Sequence, residues 1–169
     1  TAYNVAVGVS SGQSVTTGIE NTFLGALTGD AFTDADFNTA IGSTALGSDT
    51  LGSRSTAVGA NALNTQNFTT AANAYNTAVG YDAGTAVTTG VNNTLIGSLA
   101  GDTLTDADHN VALGINALGA MTVGSRNTAL GSYSLELANV ASAADTYNTA
   151  VGYYAGGGVT TGVQNTLIG

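Results

Sequence analysis

The sequence predicts an all-β fold, a parallel β-solenoid of about ten stacked coils. Three observations predict it. The chain lies on itself without a gap when shifted by 72 residues: Tyr3-Asn4 returns as Tyr75-Asn76 and Tyr147-Asn148, and Val15-Thr16-Thr17-Gly18 as Val87-Thr88-Thr89-Gly90 and Val159-Thr160-Thr161-Gly162. A fixed internal period marks units that bury their apolar faces on one another. Within it, a motif Asn-Thr-apolar-apolar-Gly, with small variations, starts at Asn4, Asn21, Asn38, Ser55, Asn76, Asn93, Asn110, Asn127, Asn148 and Asn165. Its spacings run 17, 17, 17 and 21 and then repeat, so each unit is four coils with a longer fourth. Composition supplies the third observation. Glycine is 24 of 169 residues and proline is absent, while Val, Ile and Thr recur in the motif, which favours strand and turn over helix. Stacked helix pairs would need a period of about 33 residues or more.

A 17-residue coil accommodates two strands of about five residues each and two tight corners. Residues 1–169 form one continuous solenoid with units 1–72, 73–144 and a partial 145–169. Ten coils at about 4.8 Å each give a rod of roughly 50 Å. The ends carry no distinct capping sequence, and a bare terminal coil exposes strand edges. The expectation is therefore a segment of a longer protein or a subunit that stacks end to end.

Each motif position has a physical role. Asn4, Asn21, Asn38, Asn76, Asn93, Asn110, Asn127, Asn148 and Asn165 should form an amide ladder between coils, as stacked identical Asn side chains do. The Thr that follows is β-branched and suits a strand. The fourth position is always aliphatic: Val7, Leu24, Ile41, Val58, Val79, Ile96, Leu113, Leu130, Val151, Ile168. Strand side chains alternate faces, and this column is expected to fill the coil interior. The third position is mostly Ala, with Phe23, Leu95 and Leu167 as exceptions. It should then face outward, where a second copy of the chain covers it, since a strand apolar on both sides is buried on both. The closing glycines Gly8, Gly25, Gly42, Gly59, Gly80, Gly97, Gly114, Gly131 and Gly152 fit a corner that needs φ > 0 or close backbone approach. A second register of small residues follows at Ser11, Ala45, Ala62, Ala83, Ala100, Ala117 and Ala155, then apolar residues near Val15, Phe32, Leu51, Phe68, Val87, Leu104, Val123 and Val159. These are assigned to the second strand of each coil.

The bulk numbers narrow the function classes. Net charge is −9, with two Arg and no Lys, which argues against nucleic acid and anionic membrane surfaces, both of which select basic patches. No apolar run of about 18 residues exists to insert into a membrane. There is no cysteine, so neither disulfides nor thiolate metal sites hold the fold. Charged residues are 8% of the chain, low for a free surface and suited to a surface occupied by copies of the chain or by sugar.

The segment Asn76-Thr77-Ala78-Val79-Gly80-Tyr81-Asp82-Ala83-Gly84, then Thr88-Thr89-Gly90 and Asn93-Thr94-Leu95-Ile96-Gly97, resembles the head repeats of YadA-like trimeric autotransporter adhesins. It equally resembles the Asn-Thr-Ala-x-Gly repeats of bacteriophage tail fibres and related surface fibres. The similarity spans nearly the whole chain. It implies a left-handed parallel β-roll, three chains about one axis, and an extracellular, cell-surface or virion location. The coil period here is longer than that of adhesin heads and implies longer outer loops. The implied role is mechanical: a stiff shaft or head that presents loops or a distal tip for attachment to a cell-surface glycan or receptor. The alternative is a self-polymerising surface filament.

Candidate sites are few. Asp30, Asp34 and Asp36, repeated as Asp102, Asp106 and Asp108, place three carboxylates within seven residues, but their spacing matches neither an EF-hand loop nor a calcium-binding nonapeptide. They read as an acidic corner, with no metal or cofactor assigned. Arg54 lies 18 residues after Asp36, and Arg126 lies 18 after Asp108. In a 17-residue coil each is a diagonal neighbour of that Asp, which predicts salt bridges along the stack. His109 is the only histidine and lacks partners for metal or acid–base work. No serine has a base placed beside it, so no catalytic residue is assigned, and glycan hydrolysis by the Asp pairs is a minor alternative. Ice binding is another, since it requires a flat Thr array on every coil while Thr-Thr-Gly occurs once per unit. The longer loops, Asn64 to Ala74 and Glu136 to Thr146, should project from the rod. Asn67 and Asn92 match the N-glycosylation acceptor pattern.

Overall fold

The structure is a computed structural model that describes residues 2–169. Those residues contain no helix. Ten three-residue strands make one sheet: Val5–Val7, Thr22–Leu24, Thr39–Ile41, Thr56–Val58, Thr77–Val79, Thr94–Ile96, Val111–Leu113, Thr128–Leu130, Thr149–Val151 and Thr166–Ile168. They pair parallel in chain order, with like motif positions opposite one another, Thr39↔Thr56 and Ile41↔Val58 for example. Every coil thus lands on its predecessor in register, and the chain is a β-solenoid.

The rest of each coil is not the regular second strand expected from the sequence. Only Gly52–Ser53 with Ala72–Asn73, and Gly124–Ser125 with Ala144–Asp145, form further short parallel pairs. Elsewhere the backbone turns repeatedly while it continues to bond along the stack, as in Gly12 N to Thr28 O, Gly29 N to Ala45 O and Leu46 N to Ala62 O. The turning is built into the dihedrals. The residue before every motif start is left-handed without being glycine, from Tyr3 (φ 46) to Arg54 (φ 66). Each such residue costs about 1–2 kcal/mol in isolation, and the inter-coil bonds offset it: Phe37 N donates to Ile19 O and Arg54 N to Asp36 O. The closing glycines are extended at positive φ, 124–142°, and a Cβ on Gly80 would lie 2.5 Å from Gly97 O. No other residue fits there.

The two faces of the strand are the reverse of the expectation. The Ala column is the core: Ala40, Ala57, Ala78, Ala112, Ala129 and Ala150 are fully buried within the one chain, as are Phe23 and Leu95. The aliphatic column points out, with Leu24 47%, Leu113 49% and Val7 56% exposed. The cause is the width of the coil. Most of its residues lie in turns that fold close to the strand, so only a small side chain fits where the opposite wall also carries a large one.

That wall follows a register of its own: Gly12, Gly29, Leu46, Leu63, Gly84, Gly101, Leu118, Leu135, Gly156. Where it carries Leu, the strand carries Ala. Glycine flanks each large strand residue: a Cβ on Gly12 or Gly29 would sit 2.8 or 2.5 Å from Phe23, one on Gly84 or Gly101 2.6 or 2.8 Å from Leu95, and one on Gly156 2.6 Å from Leu167. Phe23 and Phe32 stack with ring centroids 5.5 Å apart. Each large strand side chain thus fills the space that the wall glycines leave, as close packing of the interior requires.

Candidate functional site

Three features of the solenoid are candidates for function: the Asn spine, the outward aliphatic face and the corner that carries the arginines. The spine matches the expected ladder. The side-chain oxygen of each Asn accepts the backbone N–H, and in most rungs also the amide NH₂, of the next Asn at 2.8–3.2 Å. Its own NH₂ turns inward to a carbonyl 14 residues ahead, as Asn21 does to Ala35 O at 2.7 Å and Asn93 to Ala107 O at 2.8 Å. Asn21, Asn38, Asn76, Asn93, Asn110, Asn127 and Asn148 are buried, so each satisfies backbone groups that water cannot reach.

Ser55 breaks the ladder, and the structure repairs it with residues that motif reading missed. Gln66 is fully buried. Its NH₂ donates to Ser55 Oγ at 3.2 Å and to Asp49 Oδ2, and its carbonyl accepts from Asn76 at 2.9 Å. Asp49, also fully buried, accepts from Gly52 N at 2.9 Å and Phe68 N at 3.2 Å. Burial raises the Asp49 carboxyl above its usual range, and these hydrogen bonds oppose the rise. In the second unit the same three places hold Met121, Asn127 and Ala138. The sequence marks them weakly: positions 49, 55 and 66 are three of many at which the two units differ, and only Ser55 breaks a motif column. The inward column, apolar except at Asp49 and Gln66, runs Val15, Phe32, Asp49, Gln66, Val87, Leu104, Met121, Ala138, Val159, two residues before the expected Leu51, Phe68 and Val123.

The sheet face presents Thr and aliphatic side chains in alternate columns, because motif positions two and four share a side. From Val7 to Ile168 the aliphatic column is uninterrupted by charge over ten rungs. Six of its members are exposed, from 36% at Val79 to 81% at Ile168, and Ile41, Val58, Ile96 and Leu130 are half-buried. Beside it lie exposed Val9, Tyr81, Ile115 and Tyr153. Asp82 raises the Tyr81 phenol above its ordinary range, by hydrogen bonding and by charge.

The predicted salt bridges are not formed. Asp36 and Asp108 accept the backbone N–H of Ile19 and Val91, one coil back, at 2.8 and 2.7 Å. Arg126 instead pairs with Asp145 at 2.9 Å, and its guanidinium lies 6.0 Å from the Tyr147 ring centroid. Asp145 holds the Arg126 pKa above its usual value, by hydrogen bond and charge. Arg54 donates through Nε to Asn73 Oδ1 at 3.1 Å and stacks 4.5 Å over Phe37. Each Asp spends one oxygen on that backbone cap, and each arginine is held instead by the coil ahead of it, through Asn73 or Asp145.

Asp34 accepts from Thr17 Oγ1. Burial and the neighbouring Asp82 charge raise the Asp102 carboxyl. Among the described residues no group of three His, Cys, Asp or Glu side chains is placed to hold a metal. His109 is an exposed corner residue (φ 58) in the column of Phe37. Asn67 and Asn92 are both exposed. The long loops project less than expected: Phe68, Ala74, Ala138 and Thr146 are buried, while 69–71 and 141–145 are exposed.

These features define a class, a repeat-built β-solenoid with a polar spine, a tight core and an unpaired apolar face. No family model, curated protein or solved structure matches the chain.

Proposed function

We propose that this chain is the shaft or head of an extracellular fibre, of adhesin or phage tail-fibre type, in which copies of the chain, three about one axis, cover the aliphatic face. Its role is mechanical rather than catalytic. One observation carries the reading: the aliphatic column runs the length of the rod in register and carries no charge. Contiguous exposed apolar surface on this scale marks an interaction face. A partner that matches it rung for rung is another copy of the same column, and copies of identical rods pack by closed symmetry. The strand bonds and Asn spine stiffen each rod along its axis, which suits a spacer.

The test is native mass. The wild type should run as a multiple of 16.5 kDa, with three copies expected, and Ile41→Asp with Ile96→Asp should release folded monomer. A wild-type monomer at micromolar concentration sinks the reading, and open-ended filaments in electron micrographs would favour the self-polymerising alternative. A second reading, ice binding, gains from one feature: Thr and aliphatic columns alternate on one sheet face at nearly every rung, a more regular array than Thr-Thr-Gly suggested. A monomer with thermal hysteresis would select it.

A further inference from the structure

We infer that the first unit carries a carbohydrate-binding cleft at its arginine corner, selective for neutral glycan chains. The cleft has a volume of about 320 Å³ and is lined by Asp34, Asp36, Ser53, Ala71, Ala72 and Asn73. It shares no residue with the aliphatic column, so it stands or falls separately from the fibre reading.

The lining is hydrogen-bonding chemistry with spare capacity. Asp34 and Asp36 each use Oδ1 within the protein, on Thr17 and Ile19, and among the described residues Oδ2 of each has no protein donor. Ser53 Oγ accepts from Asp36 N at 2.9 Å, which leaves its proton to donate. Asn73 gives its carbonyl oxygen to Arg54 and keeps two N–H donors. Arg54 holds Asn73 in place from outside the cleft, bonding its carbonyl oxygen while its guanidinium lies 4.5 Å over the Phe37 ring. Free acceptors and free donors facing one another across an open cleft fit the hydroxyls of a sugar. The only apolar lining is two alanines, so no pocket exists to anchor a peptide side chain. Net charge −9 and the two carboxylates disfavour phosphate, sulfate or acidic sugars.

The second unit supplies a built-in contrast. There Asp145 stands in the place of Asn73, pairs with Arg126 at 2.9 Å, and also accepts from Tyr147 OH at 3.0 Å on the same oxygen. The guanidinium is satisfied inside the protein and no amide donor remains. The two corners share a scaffold but differ in what they offer a ligand.

The test uses the whole chain and an exchange that the fold already tolerates. Maltohexaose, cellohexaose, chitohexaose and mannohexaose are titrated while backbone amide resonances are followed, with oligolysine as a competing class. One of the sugars should shift Asp36, Ser53 and Asn73. Asn73→Asp, which copies the second unit, should weaken that binding by about tenfold or more without moving the melting temperature. Asp145→Asn should leave the first site intact and add a response at Ser125. No binding by any of the four sugars overturns the inference. So does sugar binding indifferent to Asn73→Asp, and so does binding of oligolysine alone, which would mark an acidic surface for basic peptides.

Discussion

Replacing Asn93 by Ala tests the polar spine at its centre. Asn93 is fully buried. Its NH₂ donates to Ala107 O at 2.8 Å and Asn76 Oδ1 at 3.2 Å, and its oxygen accepts from Asn110 N at 3.0 Å and Asn110 Nδ2 at 3.2 Å. Asn76 Oδ1 keeps the backbone donor Asn93 N at 2.9 Å. Ala107 O and Asn110 N lose a partner with no water to replace it, and each such orphan costs about 1–3 kcal/mol. The expected loss is therefore about 2–6 kcal/mol, concentrated in the coupling of two coils, because solenoid stability is a sum of neighbour terms. Native-state hydrogen exchange reads this locally. The amides of Asn110 and Val111 should exchange at least about thirtyfold faster, while those of the first two coils hold. Asn165→Ala should cost only about 1 kcal/mol, since Asn165 is half-buried and its amide reaches only Asn148 Oδ1. A change below about 0.5 kcal/mol at Asn93, within the range of ordinary surface substitutions, would refute the reasoning and leave strands and core to hold the stack alone.

Other outcomes follow from the same geometry. Asp49→Met should cost about 2–6 kcal/mol in urea by orphaning the buried Gly52 N and Phe68 N, at about 1–3 kcal/mol each; converting Ser55 and Gln66 as well to the second unit's Asn and Ala should recover only part of it, because neither change supplies an acceptor for those two amides. The Asp49 carboxyl is raised by burial above 3.8, so its stabilising contribution is complete below that value and is lost as pH rises through the raised folded value; the urea midpoint of the wild type, relative to the triple variant, should fall across that window. Gly29→Leu drives a side chain into Phe23, whose Cε1 is 2.5 Å from the new Cβ, and should cost about 3 kcal/mol by thermal melting, with Phe23→Ala in the same chain restoring most of it. Gly97→Ala places a Cβ 2.6 Å from Gly114 O at φ +132 and should lose about 3 kcal/mol or more, with no single partner change able to rescue it.

Much of this molecule was legible before any coordinates. The spacing of Asn-Thr-x-x-Gly located every main strand, because each coil must repeat the one below to keep its backbone paired, and repetition is what a sequence displays. The Asn ladder and the packed glycine corner follow from the same constraint. The second strand was over-read: apolar residues recur there, but they enter the core from turns whose left-handed residues, such as Arg54, Leu63 and Tyr75, are not glycine and give no signal. The corner pairs differ from the expectation because spacing sets which coils are adjacent, not which neighbour a side chain turns to: Arg54 and Arg126 reach the coil ahead, to Asn73 and Asp145, rather than the coil behind.

What the sequence determined by itself was therefore the stack: its period, its spine and the positions where only glycine fits. What the tertiary structure decided was which side of the strand is inside. Alternation sets Ala40 and Ile41 on opposite faces, but both are apolar, so hydrophobicity could not orient them. Volume could: the wall across the coil brings Leu46 and Leu63 against the strand, and the narrow interior admits alanine there and turns the larger aliphatic column outward.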